Sequence, residues 1–258
     1  MKQAVDAGRR ISDVADLNLE ELRALIQEDW AALPPGASPQ VPTGSLGQVS
    51  SQVYLDHCLK AVDTLDRARL EKLLDDAAMS FSRPVLRRDI IVPLLHTIGD
   101  RWRGGELRVV HEHMASAIVR SHLATLRDGF LIPESAARLV VTTPAGQLHE
   151  FGALLVATAA VESGWDVIYL GPNLPAEEIA TAAQLKQAKA VALSIIYPSH
   201  DPRLHEELRN LRRYLGKDLP ILVGGRSAKA FKTVLEEIEA IFLDDLAALT
   251  AKLEEISS

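Results

Sequence analysis

From about residue 53 to about 129 the apolar positions recur at intervals of three and four, as in Leu55, Cys58, Leu59 and Val62 and again in Val110, Met114, Ala117 and Ile118. That is the period of helices burying one face, and breaks near Thr64, Ser82 and Gly104-Gly105 divide the stretch into four, so a four-helix bundle is expected over 51–129. After Pro133 the period changes. Short apolar runs at 138–143, 165–170, 190–196 and 219–224, with a weaker fifth at 240–243, alternate with helical stretches. Runs buried on both faces and separated by helices predict a parallel, doubly wound sheet, so the fold class is α/β, with a Rossmann-like domain at 137–258 following the bundle. Ahead of both, residues 1–32 read as short helices with a cap at Asn18 before Leu22, Leu25 and Ile26. Residues 33–50 read as a flexible linker, because 33–47 carry four prolines and three glycines in fifteen residues.

In sheets of this kind ligands sit beyond the carboxyl ends of the strands. His149 follows the first strand after the turn Pro144-Ala-Gly146, Ser194 closes the third, and Gly224-Gly225 close the fourth, so distant positions share one rim. A lone histidine there is more often a helix-terminal side chain bonded to a carbonyl; its surroundings favour a ligand role. Gly152 removes a side chain from the same helical face, as a large planar ligand would require, and Gly224-Gly225 would let a ligand approach the backbone. The first turn lacks a Gly-x-Gly-x-x-Gly fingerprint, which argues against a dinucleotide-binding enzyme.

Composition narrows the function classes. With 47% hydrophobic and 24% charged residues, the 258-residue chain reads as two soluble domains. A net charge of -7 leaves no basic field for nonspecific nucleic-acid binding. The single cysteine, Cys58, rules out a disulfide framework and a thiolate metal cluster. No signal peptide is evident and no apolar run approaches the roughly 18 residues that span a bilayer, so a cytoplasmic protein without a membrane partner is expected.

His149-x-x-Gly152, Ser194-x-Ile196 and Gly224-Gly225, preceded by a helical domain, resemble the cobalamin-binding module of methionine synthase and its relatives over 53–256. The resemblance implies that His149 is the lower cobalt ligand and that the cofactor's displaced tail runs past Ser194 and the paired glycines. Gln147, Glu150, Ile196 and Tyr197 are then further candidate cofactor contacts. The family usually has an acidic residue where this chain has Gln147, and a leucine at Ile196. A neutral amide accepting the imidazole N–H would support the metal-bound nitrogen less than a carboxylate does, so a weaker His149–cobalt bond is expected.

A second element resembles the light-sensing cobalamin regulators of the CarH type within the MerR family: Trp102, nine intervening residues, then Glu112-His113. Singly these would be a core tryptophan, a surface carboxylate and a half-buried histidine. The glycine reversal at 104–105 would let them meet over one surface. The resemblance implies adenosylcobalamin as cofactor, Trp102 packed on its adenosyl group with Glu112 and His113 as polar partners, light cleavage of the cobalt–carbon bond, and a change in association of a homo-oligomer, dimer or tetramer. Such regulators carry a whole winged-helix domain ahead of the linker. Residues 1–30 resemble only its final helices, so direct DNA binding by this chain is not expected. Some relatives hold a histidine after the tryptophan that ligates cobalt after photolysis; here it is Arg103, leaving His113 or His111 as candidate donors. Some also hold a bilin beside the cobalamin, which makes a bilin the candidate second chromophore. His57, His96, His122 and His205 read as structural or surface; His200, after the third strand, is a candidate contact on the rim. The competing function is a corrinoid carrier of methyl groups, which needs an open upper face.

Overall fold

The computed structural model describes residues 50–257; the expectations for the N-terminal helices and most of the linker lie outside the described residues. Helices α1 (Ser51–Asp63) and α2 (Arg67–Ser80) are followed by a short α3 (Arg83–Val85), which runs through a π-helical segment (Leu86–Ile91) into α4 (Val92–Arg103). The expected third helix is thus one rod with a wider turn in its middle, ending next to Pro93, which has no backbone donor. Helix α5 (Val109–Asp128) completes the bundle after the Gly104-Gly105 reversal, where Gly105 adopts φ +78°. The periodic residues Leu55, Cys58, Val62, Leu70, Leu74, Ile90 and Leu94 meet Ile118, Val119 and Leu123 in one buried core. Asp66 caps α2 by accepting a hydrogen bond from the Arg69 amide.

Strands β1 (Arg138–Thr142), β2 (Asp166–Tyr169), β3 (Ala190–Ser194), β4 (Ile221–Gly224) and β5 (Ile241–Phe242) form an all-parallel sheet in the order β2-β1-β3-β4-β5. The intervening helices are α6 (Phe151–Glu162), α7 (Ala176–Leu185), α8 (Pro202–Leu215) and α9 (Lys232–Glu237), and α10 (Leu246–Ser257) ends the described chain. The strand order reverses between β1 and β3, which opens a crevice at their carboxyl ends.

Helix α6 positions the site. Ala153, Ala157 and Ala160 pack on the sheet, while Leu154 and Leu155 belong to the bundle core. The helix is buried on both sides and joins the bundle to the sheet. At its C-terminal end Glu162 Oε2 accepts a hydrogen bond from Arg87 Nη1 at 2.6 Å, with the two side chains only 14% and 10% exposed. Among the described residues no helix is long and apolar enough to cross a membrane.

Candidate functional site

The β1–α6 loop is fastened on both sides before it presents His149. The Thr143 hydroxyl donates to the Gln147 carbonyl and accepts from the Asn173 amide at 2.9 Å, and Asn173 Oδ1 accepts from the Gly146 amide at 2.8 Å. On the other side Gln147 Oε1 accepts from the amides of Ile196 and Tyr197, both at 3.0 Å, while its Nε2 donates to the Pro198 carbonyl at 3.3 Å. This corrects the expectation for Gln147. A buried amide must satisfy both ends, and this one does so by bonding to the β3 loop instead of His149. A carboxylate here could not donate to Pro198 unless protonated.

His149 stands exposed on the rim, its ring meeting that of Tyr197 edge-on at 5.9 Å between centroids. Among the described residues neither of its ring nitrogens has a hydrogen-bond partner. Ser194, at the end of β3, is 3% exposed, and its buried Oγ has no hydrogen-bond partner among the described residues. A Cβ at Gly152 would lie 2.2 Å from that Oγ. Gly152 is therefore required first by the close approach of α6 to β3, not by a ligand pressing on the helix. Gly225 likewise answers to the protein itself: φ is +107°, and a Cβ there would come within 2.4 Å of the Ile195 carbonyl oxygen. Gly224 faces the Leu243 carbonyl, 3.3 Å from where its Cβ would be. Ile196, half-buried, receives a hydrogen bond on its carbonyl from Ser227 Oγ at 2.6 Å.

Helix α5 supplies the opposite wall. Glu112, His113, Ser116 and Arg120 line a cavity of about 280 Å³ together with residues 148–151. Glu112 accepts a hydrogen bond from Ser116 Oγ at 2.6 Å and lies 2.6 Å from His113 Nδ1, and among the described residues His113 Nε2 is uncommitted. His111 is used differently: its Nδ1 caps the start of α5 at the Arg108 backbone. Trp102, 45% exposed, does not line this cavity, so the structure joins Glu112 and His113 to His149 without the tryptophan. Arg103 is tied to its own helix through Gly99 and Asp100, and Asp100 reaches across to Arg226 beyond β4 at 3.5 Å. His200 sits exposed on the rim, its Nδ1 2.9 Å from Ser199 Oγ.

Sequence reasoning missed Arg120 and Tyr169. Arg120 Nε donates to Glu150 Oε1 and Tyr169 Oη to Glu150 Oε2, both at 2.5 Å. Burial and then the Glu150 carboxylate raise the Tyr169 pKa above the ordinary phenol value. Stepping from Glu112 by fours along α5 gives Ser116 and Arg120, a spacing that could have exposed the cavity wall. A larger hollow of about 380 Å³ lies near the amino ends of β3 and β4, lined by Ala183, Lys189, Leu215 and Asp218 among others. It gathers none of the rim residues, and convergent polar groups matter more here than size.

Two family models match the chain, each described as a B12 binding domain, one over residues 137–249 and the other over 54–127. The chain is 27% identical over 238 residues to the HTH-type transcriptional repressor CarH of Myxococcus xanthus, covering 92% of this chain and 76% of that protein. It is 25% identical over 241 residues to the repressor CarA of the same organism, covering 93% and 76%. Among solved structures, the monomethylamine corrinoid protein of Methanosarcina barkeri shares the fold with a TM-score of 0.64 and 19% identity, covering 80% of this chain and 100% of that one.

Proposed function

We propose that this chain, which belongs to the B12-binding proteins and carries a B12-binding domain in each half, is a light-responsive adenosylcobalamin sensor whose output is a change in conformation and subunit association. The observation that supports this most is the shared cavity: Glu112 and His113 of the bundle stand across from His149 of the sheet domain. The residues present fit the cofactor. Among the described residues His149 offers an uncommitted imidazole and Ser194 a buried hydroxyl without a partner, which a polar group of the cofactor's tail would satisfy. Adenosylcobalamin, when bound, supplies the light-absorbing metal centre and an upper-face bond that light can break.

In this reading His149 is the metal-holding side chain, on a loop pre-set by Thr143, Asn173 and Gln147. Glu112 fixes the ring of His113 through Nδ1, as a carboxylate orients a histidine whose other nitrogen faces a ligand. Trp102, which lies outside the cavity lining, would be the lid over the adenosyl group. No turnover is required of the protein. Likeness to the CarH and CarA repressors along most of the chain supports the regulatory reading.

The corrinoid carrier stays in view for one reason: Trp102 is outside the cavity lining, which leaves the upper side less obstructed than the sequence implied. His149→Ala and Trp102→Ala separate the readings. For the sensor, His149→Ala changes the dark spectrum of the bound cofactor and Trp102→Ala loosens adenosylcobalamin selectively over methylcobalamin. Equal affinity and spectra in parent and both variants would remove the site assignment; a Trp102→Ala variant that treats the two cofactors alike would favour the carrier.

A further inference from the structure

Glu150 directly follows His149, yet both its oxygens are taken by the protein. Arg120 of α5 holds Oε1 and Tyr169, at the end of β2, holds Oε2, each at 2.5 Å. The Arg120 guanidinium also lies 5.7 Å from the centroid of the Phe151 ring, within cation–π range. Glu150 is the N-cap residue of α6, where a carboxylate is further favoured by the helix dipole. The segment bearing His149 is thereby tied sideways to the rigid sheet and across the cavity to the bundle.

We infer that Glu150 is a positioning residue that, through Arg120, couples the His149 loop to helix α5, so that a displacement of either is passed to the other. The reading of His149 as a metal-holding residue underlies the functional meaning of this joint; the joint itself is a property of the protein. Helix α6 is held to the bundle at both ends, but unequally. At the far end Arg87 and Glu162 are 10% and 14% exposed, while at the rim Arg120 is 50% exposed and Glu150 16%. Solvent and salt weaken the rim pair and spare the buried one. A cavity of about 280 Å³ is small beside the roughly 300–1,000 Å³ of pockets for drug-sized ligands, and cobalamin is larger still. A ligand seated between the two walls would load the exposed rim pair before the buried one. Parting at Arg120–Glu150 with Arg87–Glu162 kept makes the C-terminal end of α6 the pivot, and the re-formed pair reports the state of the His149 loop to the bundle.

The test is hydrogen exchange by mass spectrometry on the full chain, with and without hydroxocobalamin as probe, comparing parent, Glu150→Gln, Arg120→Gln, Tyr169→Phe and the charge-swapped Arg120→Glu/Glu150→Arg pair. In the parent the probe should alter exchange in peptides spanning both 147–152 and 121–128, the latter on α5 beyond the residues that line the cavity. With each variant saturated by hydroxocobalamin, the second response should fall on the order of tenfold relative to the first in Glu150→Gln and Arg120→Gln, from the loss of a charge-assisted hydrogen bond discounted for exposure. The charge swap should restore it, which a merely structural role would not do, and Tyr169→Phe should weaken it. A 121–128 response that is unchanged in both Gln variants overturns the inference. Should the parent retain no hydroxocobalamin, the proposed function fails, and the cofactor-free arm decides the joint: the Gln variants must then speed exchange in both peptides together, whereas an effect confined to one of them refutes the coupling.

Discussion

Replacing Ser194 with alanine should have opposite effects on stability and on cofactor affinity. Ser194 Oγ is buried at the end of β3 with no hydrogen-bond partner among the described residues. A buried hydroxyl left unsatisfied costs about 1–3 kcal/mol, and deleting it removes that cost at the expense of a few atomic contacts. The cofactor-free Ser194→Ala protein should therefore be about 1 kcal/mol more stable, a rise of about 2–4 °C in Tm for a folded unit of this size. If the hydroxyl serves a polar group of the cofactor, its removal loses about 0.5–1.5 kcal/mol of binding, up to about tenfold in Kd. Urea unfolding of cofactor-free protein and equilibrium dialysis against adenosylcobalamin measure the two effects separately. A variant that is less stable when cofactor-free would show that Oγ is satisfied within the protein. A variant that is stabilised but binds as tightly as the parent would show that the cofactor does not use it.

Four further expectations follow from the same geometry. Gly152→Ala places a Cβ 2.2 Å from Ser194 Oγ and 3.2 Å from its Cβ, so it should destabilise by about 1–3 kcal/mol, with part recovered when Ser194→Ala is added; urea midpoints of the two singles and the double check it. Arg87→Ala leaves Glu162 as an unpaired buried charge whose Oε1 already lacks a partner among the described residues, for a loss of about 3–5 kcal/mol. Arg209→Ala, which breaks the exposed pair with Glu237, should change the same unfolding curve little. Burial holds the pKa of His122 below the ordinary 6.5 despite Asp75, and burial with Arg226 does the same to His96. Because the unfolded chain then binds protons the folded chain refuses, stability should fall as pH drops through 6.5 toward the lowered folded values. His122→Leu should flatten that slope between about pH 7.5 and about pH 5.5, and an unchanged slope would remove His122 as its source.

The layers of this fold are legible because period alone separates them. The expected breaks at Thr64, Ser82 and Gly104-Gly105 fall at helix ends, and each expected apolar run contains a strand. The runs overshoot the strands, as at 190–196 against Ala190–Ser194, because the apolar character continues into the rim loop whose backbone turns to bond with Gln147. The π-helical segment keeps an apolar helical pattern, so periodicity gave no sign of it. At the site, the positions of His149, Ser194 and the glycine pair follow from topology. The partners of Gln147, Gly152 and Gly225 do not, since each depends on which loop or strand lies opposite, and all three turn out to serve contacts within the protein. Glu150 was readable as a neighbour of His149, but its partners Arg120 and Tyr169 are 30 and 19 residues away in sequence.

The central claim, that cobalamin is held between the α5 face and the His149 loop and reports light, is tested most directly by loading the purified chain with adenosylcobalamin in the dark. Unbound cofactor is removed, and absorption spectra and size-exclusion profiles are recorded before and after visible illumination. Retained cofactor, a light-changed spectrum and a shifted elution are the results expected. Retention with an elution profile indifferent to light would contradict the sensor in favour of a carrier, and failure to retain the cofactor would contradict the site itself.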